Sequence, residues 1–434
     1  MRPPLIISGL NGATVMTEKL SKKLYSTKLF DVKQDIIGAL PLRLVEQWLS
    51  SEQTHADALK LLDIHKVQGY SVSSDSVGLT RLCKQRGLLE ILAIINQPKK
   101  ILYGYGSAIG GESIGIWAAD NTQMFYPDSI SATTLVSAML TIQDEIAQSC
   151  QIKIGIGAHY GIFYSISGGL YGLEANAIEE IAENHTEGGE ILISQSICDR
   201  LPRNHNFTIQ KRDDLTDLTT EIGNIYRVLD GSRLSRIQPL NQRYPIPYSE
   251  AFYADLVEYE SRLIDQNFAH LLIDKYIQKK VVVLIESKNQ AVETHEVSMF
   301  NQLSFSALMK DVGLRLLDQK AAAEIKVISS LGIYVFDEAV TAVSFAQTFR
   351  QELTKQDITC RIGIDAGEVL IFDLSVGSKD IAGMPVNVAS KMAQDKGKFG
   401  KIYLSDAMRD LVDVRDFNEI KYNISGVEIT SYEG

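Results

Sequence analysis

The sequence contains two related copies of one pattern, and this repeat constrains the fold more than any other feature. The segment that begins KIGIGAHYGIFY at residue 153 has a counterpart that begins RIGIDAGEVLIF at residue 361. Asn176 matches Asn387, and the run ILIS at 191 matches IYLS at 402, with the same spacing in both cases. A repeat of this length is typical of a duplicated domain rather than of solenoid units.

Each copy predicts the same order of elements: a strand, a long helix, a hairpin, a helix, a second hairpin, a helix and a strand. We therefore expect an α+β fold of two ferredoxin-like βαββαβ domains, each an antiparallel sheet with helices on one face. The domains are predicted at 66–235 and 276–434, with a linker at 236–275 that contains the proline-rich QPLNQRYPIP. Residues 1–65 match neither copy and predict a mainly helical extension that packs on the first copy.

Composition and charge exclude several classes of protein. The formal net charge of -11 argues against nucleic-acid binding, which needs a basic surface. No apolar run approaches the roughly 18 residues that a membrane span requires, and the N-terminal PLIISG lacks the features of a signal peptide. The cysteines are scattered without a CxxC pair, which is typical of reduced thiols in the cytoplasm (Cys83, Cys150, Cys198 and Cys360).

Several motifs in these copies resemble those of the class III nucleotidyl cyclases, in the tandem arrangement of soluble adenylyl cyclases. They are VSSDSVGLT and WAADNTQMF in the first copy and EIKVISS and DIAGMPVNVASK in the second. The resemblance covers roughly 66–230 and 276–434. It implies that the two domains pair head to tail within one chain as a pseudo-heterodimer, with the active site at their interface.

The resemblance makes the first copy the metal-binding half of that site. It implies that Asp75 and Asp120 bind two Mg²⁺ or Mn²⁺ ions, which are hard cations that prefer carboxylate oxygens. For either aspartate alone, a turn or capping role is the alternative. In the second copy the matching positions are Ser287 and Ser330, which bind Mg²⁺ poorly, and Glu286 is expected to point to the opposite face of its strand.

The resemblance makes the second copy the base-recognition half. It implies that Lys326 and Asp380 read adenine, whose N1 acceptor and N6 amino donor complement an ammonium and a carboxylate. Guanine presents the opposite pattern and would leave two polar groups unpaired. The alternative for Lys326 is an ordinary surface lysine at the end of a strand.

Asn387 is implied to orient the ribose, and Lys391 to stabilise charge on the α-phosphate. Two departures weaken the predicted grip on the triphosphate. Lys391 stands where the family has an arginine, and Ser425 stands where it often has a lysine. In the first copy Glu180 corresponds to Lys391 and would repel a triphosphate, so one active site per chain is expected.

The leading hypothesis is an adenylyl cyclase that converts ATP to cyclic AMP and pyrophosphate with two metal ions. The rival is a catalytically silent, cyclase-like protein that binds an adenine nucleotide and regulates a partner. A third possibility is a purely structural interaction module, because a fold does not fix a function. ATP is the expected ligand, together with a small-molecule or protein regulator of unspecified kind.

Overall fold

The computed structural model describes most of residues 42–434, and the chain divides into two compact units. One unit runs from Leu62 to Ile273, and the other combines Asp274–Gly434 with the described part of the first 61 residues. The residues outside the description are 1–41, 80–81, 83–84, 116, 118–119, 219–220, 236, 242, 247, 262–265, 290–293, 319–321, 329, 375–378 and 425–426.

The helices and strands up to the end of the first unit follow the predicted order. The helices are α1 (Leu42–Leu49), α2 (His55–Leu62), α3 (Leu88–Ala108), α4 (Ala132–Ser149), α5 (Leu173–Asn184), α6 (Gln195–Cys198), α7 (Glu250–Ser261) and α8 (Gln266–Tyr276). The strands are β1 (Lys66–Ser76), β2 (Glu112–Ile114), β3 (Thr122–Pro127), β4 (Ile154–Ile166), β5 (Gly169–Tyr171), β6 (Ile191–Ser194), β7 (Thr208–Lys211) and β8 (Ile225–Asp230).

The second domain repeats this arrangement. Its strands are β9 (Ile277–Asn289), β10 (Ala322–Ile328), β11 (Leu331–Phe336), β12 (Ile358–Asp373), β13 (Lys379–Ala382), β14 (Ile402–Ser405), β15 (Asn418–Ile424) and β16 (Val427–Glu433). Its helices are α9 (His295–Leu316), α10 (Ala339–Thr354), α11 (Met384–Ser390) and α12 (Asp406–Arg409), and a π-helical turn spans Lys391–Asp395 between the last two.

The two sheets have the same topology, which confirms the duplicated α+β fold. The first has the strand order β2-β3-β1-β4-β6-β8-β7 with β5 paired to β4, and the second has β10-β11-β9-β12-β14-β16-β15 with β13 paired to β12. Most neighbours are antiparallel, as predicted, but β4 pairs with β6 and β12 with β14 in parallel. These strands run parallel because a helical crossover through α5 or α11 joins each pair.

A buried apolar core lies against each sheet. In the first domain it includes Tyr70 of β1, Met124 of β3 and Leu135 of α4, all of which are buried. Ser131 caps the start of α4, since its hydroxyl accepts a hydrogen bond of 3.1 Å from the backbone N–H of Thr134. The corresponding core of the second domain packs α9 and α10 on its sheet.

Strand pairing corrects the residue-by-residue alignment of the two copies. Ile156 pairs with Ile191 and Ile362 pairs with Ile402, so Ile156 and not Ile154 corresponds to Ile362. A shift of two residues keeps every side chain on the same face, and the hydrophobic pattern therefore does not reveal it.

The corrected register makes His159 the counterpart of Asp365. His159 Nδ1 lies 2.9 Å from the hydroxyl of Ser194, and the hydroxyl of Ser405 donates to Asp365 in the same way. Ser194 and Ser405 end the matching strands β6 and β14. The same buried polar link therefore joins the same two strands in both domains, with different residues.

The N-terminal helices pack on the second domain, so the prediction that the extension packs on the first copy is wrong for its described part. Trp48 of α1 is fully buried, and its ring stacks on Phe300 of α9 with 4.8 Å between centroids. Its indole N–H donates a hydrogen bond of 3.0 Å to the side chain of Asn301. The remainder of the extension, residues 1–41, lies outside the described residues.

The stretch predicted as a linker packs mostly on the first domain. The backbone N–H of Leu240 donates to the carbonyl of Gly104 in α3 at 3.0 Å, and Tyr244 is buried and donates to Asn96. Glu260 of α7 accepts a hydrogen bond of 2.8 Å from Lys100. The compact unit therefore continues to Ile273 before the chain enters the second domain.

Candidate functional site

The structure brings Asp75 and Asp120 together at one end of the first sheet. Asp75 is the penultimate residue of β1, and Asp120 lies in the turn that leads into β3. β1 and β3 are antiparallel neighbours, with Ser74 opposite Thr122. The two aspartates lie just beyond this pair of residues, so they come close to each other at the end of the β2–β3 hairpin. Each carboxyl influences the pKa of the other, and the backbone N–H of Ser76 lowers the pKa of both.

The electrostatic environment of this pair favours the protonated forms of both carboxyls. Burial, together with the neighbouring charges of Asp120 and Glu183, raises the pKa of Asp75 to about 8. Burial also raises the pKa of Asp120, against the opposing effects of its own backbone N–H and of Lys99. A bound cation would reverse this balance, because it stabilises the ionised carboxylates.

Asp75 lines a pocket of about 220 Å³ between the end of β1, the β2–β3 hairpin and α5. Glu179 and Glu183 of α5 also line it, and burial raises the pKa of Glu179 to about 7. The hydroxyl of Ser73 is buried without a hydrogen-bond partner, and Ser73 lies on the same face of β1 as Asp75. The pocket thus offers carboxylates and an unpaired hydroxyl, which are oxygen donors of the kind that Mg²⁺ and Mn²⁺ prefer.

Asp120 is not among the residues that line this pocket. Within the described part of the chain, no three His, Cys, Asp or Glu side chains converge on a point that could hold a metal ion. The two aspartates therefore suit a cation that takes its remaining ligands from water or substrate. They do not form a complete set of protein ligands.

Sequence reasoning missed three residues around this pocket. Glu179 and Glu183 are four apart on α5, so they share a helix face; that spacing is visible in the sequence. The prediction instead concerned Glu180, whose side chain is 52% exposed and lies 3.6 Å from His185. Lys99 was also missed, because nothing in the sequence QPKK distinguishes it from the half-buried Lys100.

The register of the second sheet corrects the positions that match the aspartate pair. Ser287 lies opposite Ser330, and its backbone N–H donates to the Ser330 carbonyl at 2.8 Å. Glu286 is therefore the counterpart of Asp75, and the prediction that Ser287 fills that place is wrong. The Glu286 carboxylate accepts from the guanidinium of Arg361 at 2.6 Å, so an internal ion pair already neutralises it.

The structure also brings Lys326 and Asp380 together, in the second domain. The ammonium of Lys326 lies 3.5 Å from the carboxylate of Asp380, and their side chains are 32% and 10% exposed. Lys326 follows a β-bulge between itself and Glu324, which re-aims the side chain relative to a regular strand. Asp380 is held by the pairing of β13 with β12, where it lies opposite Phe372.

Asn387 and Lys391 lie on one helix face, because the backbone N–H of Lys391 donates to the carbonyl of Asn387. The helix begins after Gly383, whose φ of 146° is a conformation that only glycine adopts without strain. The ammonium of Lys391 lies 3.8 Å from the carboxylate of Asp395, across the π-helical turn. Such turns occur frequently at functional sites.

Near the C-terminal hairpin, Lys421 is exposed and lies 3.8 Å from Glu419. Ser425, the position where the family often has a lysine, lies outside the described residues. No helix in the described ranges has both the length and the apolar character needed to cross a membrane.

Comparison with known proteins supports the fold. No protein-family model and no curated protein matches this chain. A solved class III adenylyl cyclase-like ATP-binding protein from Pseudomonas aeruginosa is similar over 80% of this chain and 86% of its own, with a TM-score of 0.51 and 10% sequence identity. The adenylyl cyclase CyaB from P. aeruginosa matches 36% of this chain and 94% of its own, with a TM-score of 0.29 and 16% identity. The guanylyl cyclase Cya2 matches 40% and 98%, with a TM-score of 0.32 and 16% identity.

The first of these similarities spans both domains and shows the fold of a class III adenylyl cyclase-like protein. The predicted fold class is therefore confirmed, with two cyclase-like domains. At 10% identity the similarity concerns the fold alone, and the activity is taken up below.

Proposed function

We propose that this protein is an adenylyl cyclase that converts ATP to cyclic AMP and pyrophosphate in the cytoplasm. The observation that carries the proposal is the pairing of Asp75 with Asp120 beside an oxygen-lined pocket in one copy only of a duplicated fold. The other copy instead holds the Lys326–Asp380 pair, which complements the Watson–Crick edge of adenine. This division of residues between the copies supports the proposal that each copy supplies a different part of one site.

In this reaction the ribose 3′-oxygen forms a bond to the α-phosphorus while the bond to the leaving pyrophosphate breaks. Two Mg²⁺ or Mn²⁺ ions at Asp75 and Asp120 would supply Lewis-acid stabilisation of the charge on the attacking and leaving oxygens. Lys326 would donate to adenine N1, and Asp380 would accept from the N6 amino group. Asn387 would orient the ribose, and Lys391 would stabilise charge on the α-phosphate.

The proposal includes pairing of the two domains within one chain, so that Asp75 and Asp380 serve one nucleotide. Mixing two inactive variants tests this part. If the site forms within a chain, Asp75→Asn protein mixed with a Lys326→Met/Asp380→Asn double variant, which lacks both base-reading groups, stays inactive. If the site forms between chains, the mixture regains about a quarter to a half of the normal activity, since some assemblies then contain one intact site.

Two features favour a second, non-catalytic function: Lys391 stands where the family has an arginine, and the pocket beside Asp75 is acidic. Lys391 lacks the planar fork of the arginine that the family has there, and losing one charge-assisted hydrogen bond costs about 1.5–3 kcal/mol. That free energy corresponds to roughly ten- to a few-hundredfold in rate. The rival proposal is therefore a silent protein that binds an adenine nucleotide and regulates a partner.

Cyclic AMP formation and calorimetry distinguish the two proposals. The cyclase forms cyclic AMP from ATP with Mg²⁺ or Mn²⁺, and an Asp75→Asn/Asp120→Asn variant does not. The silent regulator forms no product above that variant, and it binds AMP as tightly as ATP without metal. A structural module binds neither nucleotide.

A further inference from the structure

The pocket beside Asp75 is a hollow in the first domain at a place where the second domain has a packed apolar core. Ser73 lies opposite Gln123 in the first sheet, and both residues line the pocket. In the second domain Leu284 stands in the place of Ser73 and lies opposite Ile333. These two residues belong to one buried apolar cluster. The first domain therefore has polar side chains where its duplicate has core packing.

The helix that borders this pocket differs between the domains in the same way. Glu179 and Glu183 of α5 line the pocket and lie one helical turn apart, on the same face. The matching positions in the second domain are Ser390 and Gln394, whose side chains are joined by a hydrogen bond of 2.7 Å. The first domain thus presents two carboxyl groups to the pocket where its duplicate has a neutral, hydrogen-bonded pair.

The β1 side of the pocket contains a polar group that the protein does not satisfy. The hydroxyl of Ser73 has no hydrogen-bond partner, and Ser73 is only 3% exposed. A buried hydroxyl without a partner is unfavourable, and a ligand that supplies a donor or an acceptor removes that cost. This hydroxyl is independent of the acidic residues, and it also indicates that the pocket receives a ligand.

The lining selects the class of ligand. Three lining residues carry carboxyl groups (Asp75, Glu179 and Glu183), and no lysine, arginine or histidine is among the described residues that line the pocket. This lining favours a cation. In the described part of the chain these carboxyl groups do not converge on a point that could hold a metal ion. An extended organic cation can instead pair with separated carboxylates through separate N–H groups.

The size and the apolar part of the pocket restrict this cation further. The volume of about 220 Å³ is below the ~300–1,000 Å³ of sites for drug-sized ligands, so the ligand is small. Ile114 and Ala182 also line the pocket and are buried. They offer a surface for a short alkyl chain between the charged ends of a ligand.

We propose that this pocket binds a small aliphatic diamine. One ammonium group pairs with Asp75 and donates to the hydroxyl of Ser73, and the other pairs with Glu179 and Glu183 on the α5 side. The proposal goes beyond the cyclase function and does not depend on it, because the binding needs neither nucleotide nor metal. Asp75 is shared with the proposed metal site, so a bound diamine competes with Mn²⁺ there.

Calorimetric titration of the full-length protein with putrescine, a four-carbon diamine, tests the proposal in the absence of nucleotide and metal. Putrescine should bind at least about tenfold more tightly than butylamine, which lacks the second ammonium group. Butanediol has the same length without charge and should not bind. The same titration with Mn²⁺ alone tests the alternative that the acidic lining holds a metal ion.

Matched variants locate the binding site. Glu179→Gln/Glu183→Gln should weaken putrescine binding at least about tenfold, because it removes both charges on the α5 side. Glu180→Gln is the control on the same helix and should have no effect, since the Glu180 carboxylate lies 3.6 Å from His185 and does not line the pocket.

A second pair of variants tests the β1 side of the pocket. Ser73→Leu introduces the residue that the second domain has at this position and should abolish binding, because it fills the hollow. Circular dichroism establishes that the variant is folded. If it is not, Ser73→Ala replaces it and should weaken binding several-fold, because it removes only the hydroxyl.

Three results would overturn the proposal: no binding of putrescine, butanediol binding as tight as that of putrescine, or the same putrescine affinity in Glu179→Gln/Glu183→Gln as in Glu180→Gln. Binding of Mn²⁺ that the double variant loses, without any binding of putrescine, would assign the acidic lining to a metal ion instead. Failure of the proposed cyclase function looks different. In that case putrescine binds as expected, but the protein forms no cyclic AMP from ATP.

Discussion

The ammonium of Lys326 lies 3.5 Å from the carboxylate of Asp380, although the two residues lie on strands far apart in the sequence. β10 carries the lysine and β13 the aspartate, and a β-bulge precedes Lys326. In the absence of ligand the two charges satisfy each other. In the proposed role of this pair, an adenine that enters between the two side chains would exchange the ion pair for two hydrogen bonds, whereas guanine would leave both groups unpaired.

Asp380→Asn should reduce the preference for ATP over GTP by at least about tenfold, because an amide presents a donor as well as an acceptor to the base. Lys326→Met should weaken ATP binding by a similar factor. Calorimetric titration with each nucleotide measures both effects. Lys379→Met is the matched control, since this exposed neighbour pairs with Asp373 at 2.7 Å. Unchanged nucleotide preference in Asp380→Asn would contradict base reading by this pair.

Lys391→Arg should increase the rate of cyclic AMP formation about tenfold or more, because the guanidinium restores a bidentate contact with phosphate. The change should appear mainly in kcat, since the added contact forms with charge that develops during the reaction. Lys396→Arg, an exposed position five residues later, should have no effect. A rate that does not rise in Lys391→Arg would mean that this side chain does not contact the α-phosphate.

Asp75→Asn should stabilise the first domain near pH 7 while it abolishes metal-dependent activity. The pKa of Asp75 is about 8 in the folded protein and 3.8 as its ordinary value, so the folded state holds a proton that the unfolded chain has lost. Stability therefore falls as pH rises from about 4 to about 8. Asparagine removes this dependence and should add about 1–3 kcal/mol at pH 7.

Denaturant unfolding of the Asp75→Asn variant at pH 5 and pH 7.5 measures that effect. The gain should be larger at the higher pH, where ionisation of the aspartate opposes folding. Asp63→Asn, at an exposed position just before β1, should show no such pH dependence. A variant that loses stability at pH 7.5 would contradict the placement of Asp75 in an unfavourable acidic pocket.

Trp48→Ala should destabilise the second domain by about 3–5 kcal/mol, because it removes a fully buried ring that stacks on Phe300. Hydrogen exchange resolved along the chain measures the effect. Amides of α9 should exchange faster, and those of β1 and β4 in the first domain should not change. Faster exchange in the first domain alone would place the N-terminal helices there instead.

The sequence predicted the fold because the repeat and the alternating patterns recur at the level of whole elements. It did not predict the register, since shifting KIGI against RIGI by two residues preserves the faces of the strand. Only strand pairing shows that Glu286, neutralised by Arg361, is the counterpart of Asp75. Register depends on contacts between distant strands, and a single sequence does not display these.

The sequence predicted those residues of the candidate site that belong to a motif. It did not predict residues that only their burial distinguishes. Asp75, Asp120, Lys326 and Asp380 stand in recognisable motifs, and each pair lies together in the structure. Lys99 belongs to no motif, and only the structure shows that it is buried beside Trp117. Full burial of Lys99 and only partial burial of Lys100 follow from how α3 packs.

Conversion of radiolabelled ATP to cyclic AMP with Mn²⁺, at high enzyme concentration, tests the central claim most directly. We predict that the unaltered protein forms cyclic AMP and pyrophosphate in equal amounts. The rate should be at least about a hundredfold lower for both Asp75→Asn and Asp120→Asn. It should be higher for Lys391→Arg. Absence of product from the unaltered protein and from Lys391→Arg, or equal product from the aspartate variants, would contradict it.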